Sequence, residues 1–319
     1  MSGGMVRLIL TRLVGAAVVL LAVSLLVFAS GEALPGDVAQ LMLGEGASQE
    51  AVAQLRQQLQ LDRPAPERYL NWLGGMVSGD WGVSYTTRRP ISEILPPRLA
   101  NTALLTVLTV LVAVPVALGL GILMALFAGG RFERGTSVVL LGLSAMPEFM
   151  LATLAVLIFA VKLRWLPAIS NLNITNGPLE AARALALPVL TLSLAIAAQI
   201  ARMTRATLVN LAERPFIEMA HLKGASRLRV ILVHSLANAV GPLANIVTLN
   251  IAFLISGVVV VETIFAVPGL AQLMINSVST RDMPVIEACA MIFCCVYVLL
   301  LAAADLLGTA FNPRLRRSR

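Results

Sequence analysis

The sequence predicts an all-α integral membrane protein with six transmembrane helices, and three observations carry that prediction. Of 319 residues, 58% are hydrophobic and only 13% charged, where a soluble domain carries about 25% charged residues. Six apolar runs each approach or exceed the roughly 20 residues that a helix needs to cross the hydrocarbon core at about 1.5 Å per residue. The 24 Lys and Arg residues fall in short segments between those runs, the pattern of membrane-protein loops. They form no single basic patch, so the net charge of +7 does not argue for a nucleic-acid partner.

The runs cover residues 8–29, 99–128, 136–161, 184–201, 235–261 and 283–304. The first belongs to an N-terminal helix, residues 1–30, with Arg12 near its start. Arg7 and Arg12 precede it as charges precede a signal peptide. Yet Ser30-Gly31-Glu32-Ala33 offers no tidy small-residue cleavage site and five spans follow, so the helix reads as retained. The fourth run is the shortest, and the second and fifth are long enough to tilt or to extend beyond the bilayer. Pro115, Pro147, Pro188 and Pro242 lie in or near these runs and imply kinks, because neighbouring helices can satisfy the freed backbone groups.

Charge sets the orientation. On one side lie Arg7, Arg12, Arg131, Arg134, Arg202, Arg205, Arg214, Lys223, Arg227, Arg229, Arg314, Arg316, Arg317 and Arg319. The short loops opposite hold only Lys162, Arg164, Arg183 and Arg281. The richer side is cytoplasmic by the positive-inside rule, which places both termini in the cytoplasm. Six further cations in the external segment, residues 31–98, count little, since long segments translocate largely regardless of charge. Within that segment Ser48 is placed to cap a helix running to about Gln60, with Glu50 in its first turn. Val52, Leu55 and Leu59 share one face of it. It is expected on the outer membrane surface or a neighbouring helix, with a platform for a soluble partner as the alternative.

The core, residues 99–310, contains the cytoplasmic loop 202–234, and a basic tail follows at residues 311–319. In the loop, Pro215 suits the first position of a short helix that Lys223 and Gly224 close. Phe216, Met219 and Ala220 project from one side of it, and Glu218 falls in its first turn. Ser226 then caps a second helix leading to the fifth span. Such a hairpin either docks another protein or lies on lipid. Cys289, Cys294 and Cys295 share one apolar run and have no CxxC spacing, so they read as small packing residues. His221 and His234 lack partner ligands, and no metal site or cofactor site is expected.

At this loop the sequence becomes specific. Glu218-Met219-Ala220-His221-Leu222-Lys223-Gly224-Ala225 resembles the EAA motif (Glu-Ala-Ala, three residues, Gly) of the permeases of ATP-binding cassette (ABC) importers. Met219 replaces the first alanine. His234, Asn238 and Pro242 resemble the dipeptide/oligopeptide/nickel branch. So do Leu34-Pro35-Gly36-Asp37, Leu61-Asp62-Arg63-Pro64 and Gly79-Asp80-Trp81-Gly82-Val83-Ser84, which are similar to the external segment of its B-type transmembrane subunit. Ser144-Ala145-Met146-Pro147-Glu148-Phe149, Ala201-Arg202-Met203-Thr204-Arg205-Ala206, the stretch from Val261 to Leu270 and Arg281-Asp282-Met283-Pro284 follow in that order. The tail Asn312-Pro313-Arg314 departs from the usual Asp-Pro-Arg.

The resemblance implies a type I ABC importer transmembrane-domain fold in the bacterial inner membrane. It implies a heterodimer with a second homologous permease, two ATP-binding subunits that hold ATP and Mg, and an external solute-binding protein. ATPase coupling then falls to Pro215, Phe216, Glu218, Met219, Ala220 and Gly224. The chain has no Gly-x4-Gly-Lys-[Ser/Thr] loop, so it is expected to be a transport subunit and not an enzyme. Its cargo is expected to be peptides; nickel, metal–chelator complexes, glutathione and sugars are the alternatives. Asn101, Thr102, Asn245, Thr248, Asn250 and Ser256 are candidate pathway groups, though helix packing in the membrane accounts for them equally. Glu148 lies within the third run, where an unpaired carboxylate costs a few kcal/mol, so it should face protein or water. Glu262 ends the fifth run, at the position the resemblance gives to an outer gate.

Two other classes compete. An ion-gradient-driven secondary transporter usually places several ionisable groups at the midplane, often in two related halves; here there is one such carboxylate and no evident repeat. A membrane enzyme would need HExxH, a nucleophile elbow or paired carboxylates, and the sequence has none. A purely structural subunit is neither favoured nor excluded by the hairpin.

Overall fold

The computed structural model describes residues 3–33, 38–44, 46–170, 177–215, 217, 219 and 223–310. Its elements are α1 (Gly3–Ala33), α2 (Val38–Leu43), α3 (Gln49–Gln58), α4 (Ala65–Ser78), α5 (Ile91–Leu126) and α6 (Arg131–Ala145). They continue with α7 (Glu148–Lys162), α8 (Pro178–Ala212), α9 (Arg227–Ile264), α10 (Leu270–Ser279) and α11 (Met283–Ala310). Among the described residues five helices are long and apolar enough to cross a membrane, and the bent pair α6–α7, counted as one span, makes six. The all-α membrane fold expected from hydropathy is therefore present.

The spans differ from the apolar runs in three ways. First, the third run is not one straight helix: it turns by 104° between α6 and α7. Met146 and Pro147, both extended, separate the two pieces, as Pro disfavours helical conformation in the residue before it. Second, the fourth run is only the apolar centre of a 35-residue helix. Third, the helix capped by Ser226 is continuous with the fifth span from Arg227 to Ile264, although Pro242 lies inside it. Two stretches relax to π geometry, Val156–Lys162 and Val230–Ser235; such segments often accompany functional regions.

The chain forms two compact units. One comprises residues 102–268 with the outer parts of the chain's two ends. Its centre is α8, whose Leu185, Leu187, Leu192 and Ile196 pack in one cluster with Leu254, Val258 and Val261 of α9 and Ala152 and Ala155 of α7. A second cluster joins Ile200, Ala201 and Leu208 to Ala117 and Met124 of α5 and to Ile231, Ala239 and Leu243 of α9. Gly121 makes the α5–α8 approach possible, since a Cβ there would stand 2.7 Å from Ala201 O and 2.6 Å from Thr204 Cβ. A small residue permits this separation where membrane helices gain by close packing.

The other unit comprises residues 5–101 and 269–296. The Ser48 hydroxyl accepts from Ala51 N–H and starts α3, with Leu55 buried and Val52 and Leu59 half-buried. The rings of Phe28, Tyr69 and Trp72 stack α4 on α1 at 5.4–6.0 Å. The Arg68 guanidinium pairs with Glu32. Ile91, Leu95, Leu270, Val285, Ala288 and Cys289 form its core.

Candidate functional site: the coupling segment and the polar groups along α9

The residues singled out by sequence lie at the two ends and the middle of α9, within the first unit. Before its start, Pro215, Ile217 and Met219 are helical, and Lys223 N–H donates to Met219 O at 3.1 Å. Met219 is exposed, whereas Ile217 is fully buried. Phe216, Glu218 and Ala220 lie outside the described residues. Gly224 has φ +82°, the left-handed conformation in which side chains are disfavoured. No atom lies within 4 Å of where its Cβ would stand, so the requirement for glycine there is conformational and not steric. Ser226 Oγ then accepts from Arg229 N–H at 3.4 Å and opens α9.

A tether unseen in the sequence fixes this exit. Arg227 Nη2 donates to Ala128 O at 3.2 Å and to Ala125 O at 3.5 Å, at the C-terminal end of α5. Ala125 O also accepts from Ala128 N–H at 3.4 Å, and a cation at a helix C-terminus favours the helix dipole. The neighbouring α8 is tied in turn: Arg205 Nη2 lies 3.2 Å from Glu133 Oε1 of α6. The segment from Pro215 to Gly224 therefore precedes a base braced by two guanidinium groups.

In the last third of α9, Glu148 meets Gly257. A Cβ on Gly257 would lie 2.7 Å from Glu148 Oε1 and 2.8 Å from Oε2, so the carboxylate rests on a face that a side chain would close. Glu148 is the first residue of α7, just after the break, where the helix dipole favours an anion. The bend thus converts a mid-run carboxylate into a helix-terminal one. Asn250 lies on the Gly257 face of α9, seven residues or roughly two turns away. It is buried, and its Nδ2 donates to Ile246 O at 2.9 Å on its own helix.

At the far end, Glu262 is fully buried and accepts from Thr102 Oγ1 of α5 at 2.5 Å. The chain then reverses: Ala266 takes φ +51°, Val267 N–H donates to Glu262 O at 3.0 Å, and Ser170 N–H donates to Phe265 O at 2.8 Å. Glu148, Asn250 and Glu262 do not converge. Glu262 lies five residues from Gly257, roughly 140° around the helix, and faces α5.

In the other unit, two short motifs far apart in sequence prove to be one structure. Asp282, itself buried, accepts from Ser84 Oγ at 2.5 Å and from the N–H groups of Tyr85 at 3.0 Å and Thr86 at 3.2 Å. Three hydrogen bonds to one carboxylate hold the loop after α4 against the start of α11. Burial pushes the Tyr85 hydroxyl up to about 12, with the charges of Glu287 and Asp282 adding to it. Among the described residues no cluster of three His, Cys, Asp or Glu side chains could hold a metal ion.

Two family descriptions match this chain: the binding-protein-dependent transport system inner membrane component over residues 117–317, and the N-terminal part of such membrane components over residues 5–106. The chain belongs to this family of ABC importer permeases. Similar proteins span it almost end to end. A probable peptide ABC transporter permease protein, y4tP, of Sinorhizobium fredii is 32% identical, covering 97% of this chain and 98% of the relative. The glutathione transport system permease protein GsiC of Salmonella typhimurium is 36% identical over 98% and 99%. Its Escherichia coli K12 counterpart is 34% identical over 98% and 99%. The permease falls in the dipeptide/oligopeptide/nickel group and is a multi-pass inner-membrane subunit that works with other subunits of a transporter. The EAA resemblance and the six spans expected from sequence belong to this one assignment.

Proposed function

We propose that the permease forms half of a translocation path for short peptides, paired with a second homologous permease and driven by two separate ATP-binding subunits. Those subunits bind ATP and Mg; this chain hydrolyses nothing. An external solute-binding protein delivers the cargo, and both termini lie in the cytoplasm. The observation that carries this reading is the segment from Pro215 to Gly224, in which Pro215, Ile217 and Met219 are helical, Met219 is exposed and Ile217 buried, and a positive-φ glycine follows. An ATPase can do work on a membrane partner only through contacts that differ between two conformations, and this segment supplies such contacts on a braced base. Peptides are favoured because a probable peptide permease is among its relatives. The glutathione permeases favour a second reading, the tripeptide glutathione, of the same chemical class.

Asn250, Glu148 and Glu262 belong in this reading to the path or its gate. Glu148 and Asn250 lie toward one face of α9, and Glu262 closes the end nearest the outer surface. Reconstitution of the permease with its genomic neighbours tests the proposal. Purified solute-binding protein is offered di-, tri- and pentapeptides, glutathione and nickel, and ATP hydrolysis is read in proteoliposomes. Stimulation by a peptide or by glutathione supports the reading; stimulation by nickel alone, or the absence of any ATPase partner on co-purification, refutes it. Orientation is tested separately with single reporter cysteines at Gly46 and Ser226. In intact spheroplasts an impermeant reagent should label the first and spare the second, and labelling at Ser226 would reverse the topology.

A further inference from the structure

The unit formed by residues 5–101 and 269–296 encloses a cavity of about 580 Å³ between α1, α4, the loop after α4 and the start of α11. It is large enough for a small ligand. Its lining is acidic overall, with Glu32, Asp80 and Glu287 against the single cation Arg68. Two of the acids are already engaged. Glu32 pairs with Arg68, and Asp80 Oδ1 accepts from Gly82 N–H at 3.2 Å. Glu287 is different: it is only 8% exposed, lines the cavity, and makes no hydrogen bond or ion pair with any described residue. Its carboxylate oxygens are not sealed from the cavity, so Glu287 offers acceptor capacity to whatever occupies it, with Arg68 in the same wall.

The remaining wall is aromatic. Phe28, Trp72, Trp81 and Tyr85 all contribute, and aromatic faces attract cations. Gly31 keeps α1 open on this side, since a Cβ there would lie 2.6 Å from Met283 Cε and 3.8 Å from Glu287 Oε1. A carboxylate with free acceptor capacity, a surplus of negative charge and several aromatic faces are complementary to one chemistry. We propose that this cavity binds a primary ammonium group, with Glu287 accepting its N–H bonds and the aromatic side chains packing its substituent. The ammonium is carried either by the amino terminus of a short peptide or by a free small amine.

The test uses the full chain in lipid nanodiscs. Trp165→Phe leaves Trp72 and Trp81 as the two reporters, both in the cavity wall. Alaninamide, which has the ammonium and no carboxylate, should change their fluorescence saturably. Glu287→Gln should weaken that binding by about tenfold or more, the effect of losing one charge-assisted hydrogen bond. Glu287→Asp should retain part of it, and thermal unfolding of both variants establishes that they are folded. Glu93→Gln, at an exposed pair with Arg89, should bind as the parent does. Ala-Ala and N-acetyl-Ala-Ala separate the sources. Binding of the first and not the second supports a peptide amino terminus; binding of alaninamide without Ala-Ala supports a free amine. No saturable response to alaninamide at concentrations on the order of 10 mM, or an unchanged affinity in folded Glu287→Gln, overturns the proposal. Equal binding of Ala-Ala and its N-acetylated form overturns it as well.

Discussion

The two ends of α9 use opposite means to control the chain. At the Arg227 end the determinants are backbone conformation and surface: Gly224 in the left-handed region, an exposed Met219, and a guanidinium holding two helix-terminal carbonyls. At the Ile264 end the determinant is a carboxylate with no exposure at all, held by a threonine hydroxyl. The first arrangement can move against a partner without stripping a hydrogen-bond partner from a buried charge. The second cannot shift without stripping a partner from a buried charge, which is expensive at low dielectric. A helix built in this way is adjustable at one end and locked at the other, and substitutions at the two ends should therefore fail differently.

The largest effect is expected at the adjustable end. Gly224→Val meets no neighbouring atom, so its whole cost is conformational, on the order of 1–2 kcal/mol for a β-branched residue forced into the left-handed region. The chain relieves that strain by moving the coupling segment. Transport in proteoliposomes should fall by about tenfold or more, the equivalent of 1.4 kcal/mol, while membrane insertion and detergent stability stay close to the parent. Phe216→Asp should act in the same direction by putting a charge where the proposed function needs an apolar contact to the ATPase subunit. Wild-type transport in fully assembled Gly224→Val complexes would remove the coupling role from this segment.

Thr102→Val probes the locked end. It keeps the shape and removes the donor to Glu262, leaving a buried carboxylate one hydrogen bond short, at a cost of about 1.5–3 kcal/mol. Here the loss should appear first as lower thermal stability, with transport following it, the reverse of the Gly224→Val pattern. Thr102→Ser should recover most of it. Between the ends, Glu148→Gln tests whether the carboxylate on Gly257 serves the path. Its shape is unchanged, so assembly should be normal and the apparent affinity for cargo should shift several-fold, about 1 kcal/mol. Unaltered transport kinetics would leave Glu148 a purely structural role.

The sequence made the locked end harder to read than the adjustable one. Gly224 and Ser226 announce themselves because turn and cap chemistry is local, and the π segment that follows leaves the apolar run intact. Glu262 was legible as a carboxylate ending a span, but its donor lies on α5, 160 positions away, and no spacing rule connects them. The Arg227 tether to α5 and the Asp282 clasp on Ser84, Tyr85 and Thr86 are hidden for the same reason. Hydropathy located all six spans; Pro147 implied a kink in the third, but hydropathy missed its size, because a 104° turn leaves the composition of the run unchanged. It also missed α4 and α10, whose amphipathic turns are too short to register as spans. Burial differs between helices that both read as spans: 61% of the apolar stretch of α8 is buried against 6% of that of α1. Composition reports that a helix is apolar, and only tertiary packing separates a helix that meets protein from one left facing lipid or a second subunit.

The smallest expected effect sharpens the same contrast in the other unit, where the clasp on Asp282 is also a buried carboxylate held by donors from a distant segment. Tyr85, whose backbone N–H is one of those donors, carries a hydroxyl raised from 10.0 to about 12, first by burial and then by the charges of Glu287 and Asp282. The sign follows from proton binding. Between pH 10 and 12 the unfolded chain releases the phenolic proton while the folded chain retains it, so unfolding is coupled to proton loss and rising pH favours it. The contribution is complete below pH 10 and is lost as pH rises through the folded value of about 12. Tyr85→Phe has no proton to lose. Its unfolding midpoint, followed by tryptophan fluorescence from pH 9 to pH 11.5, should fall less steeply than that of the parent. Below pH 9 the two curves should run parallel, offset only by the loss of the hydroxyl. Parallel curves across the whole range would mean that Tyr85 is solvated in the folded chain, and that the Asp282 clasp, unlike the Glu262 pair, is open to water.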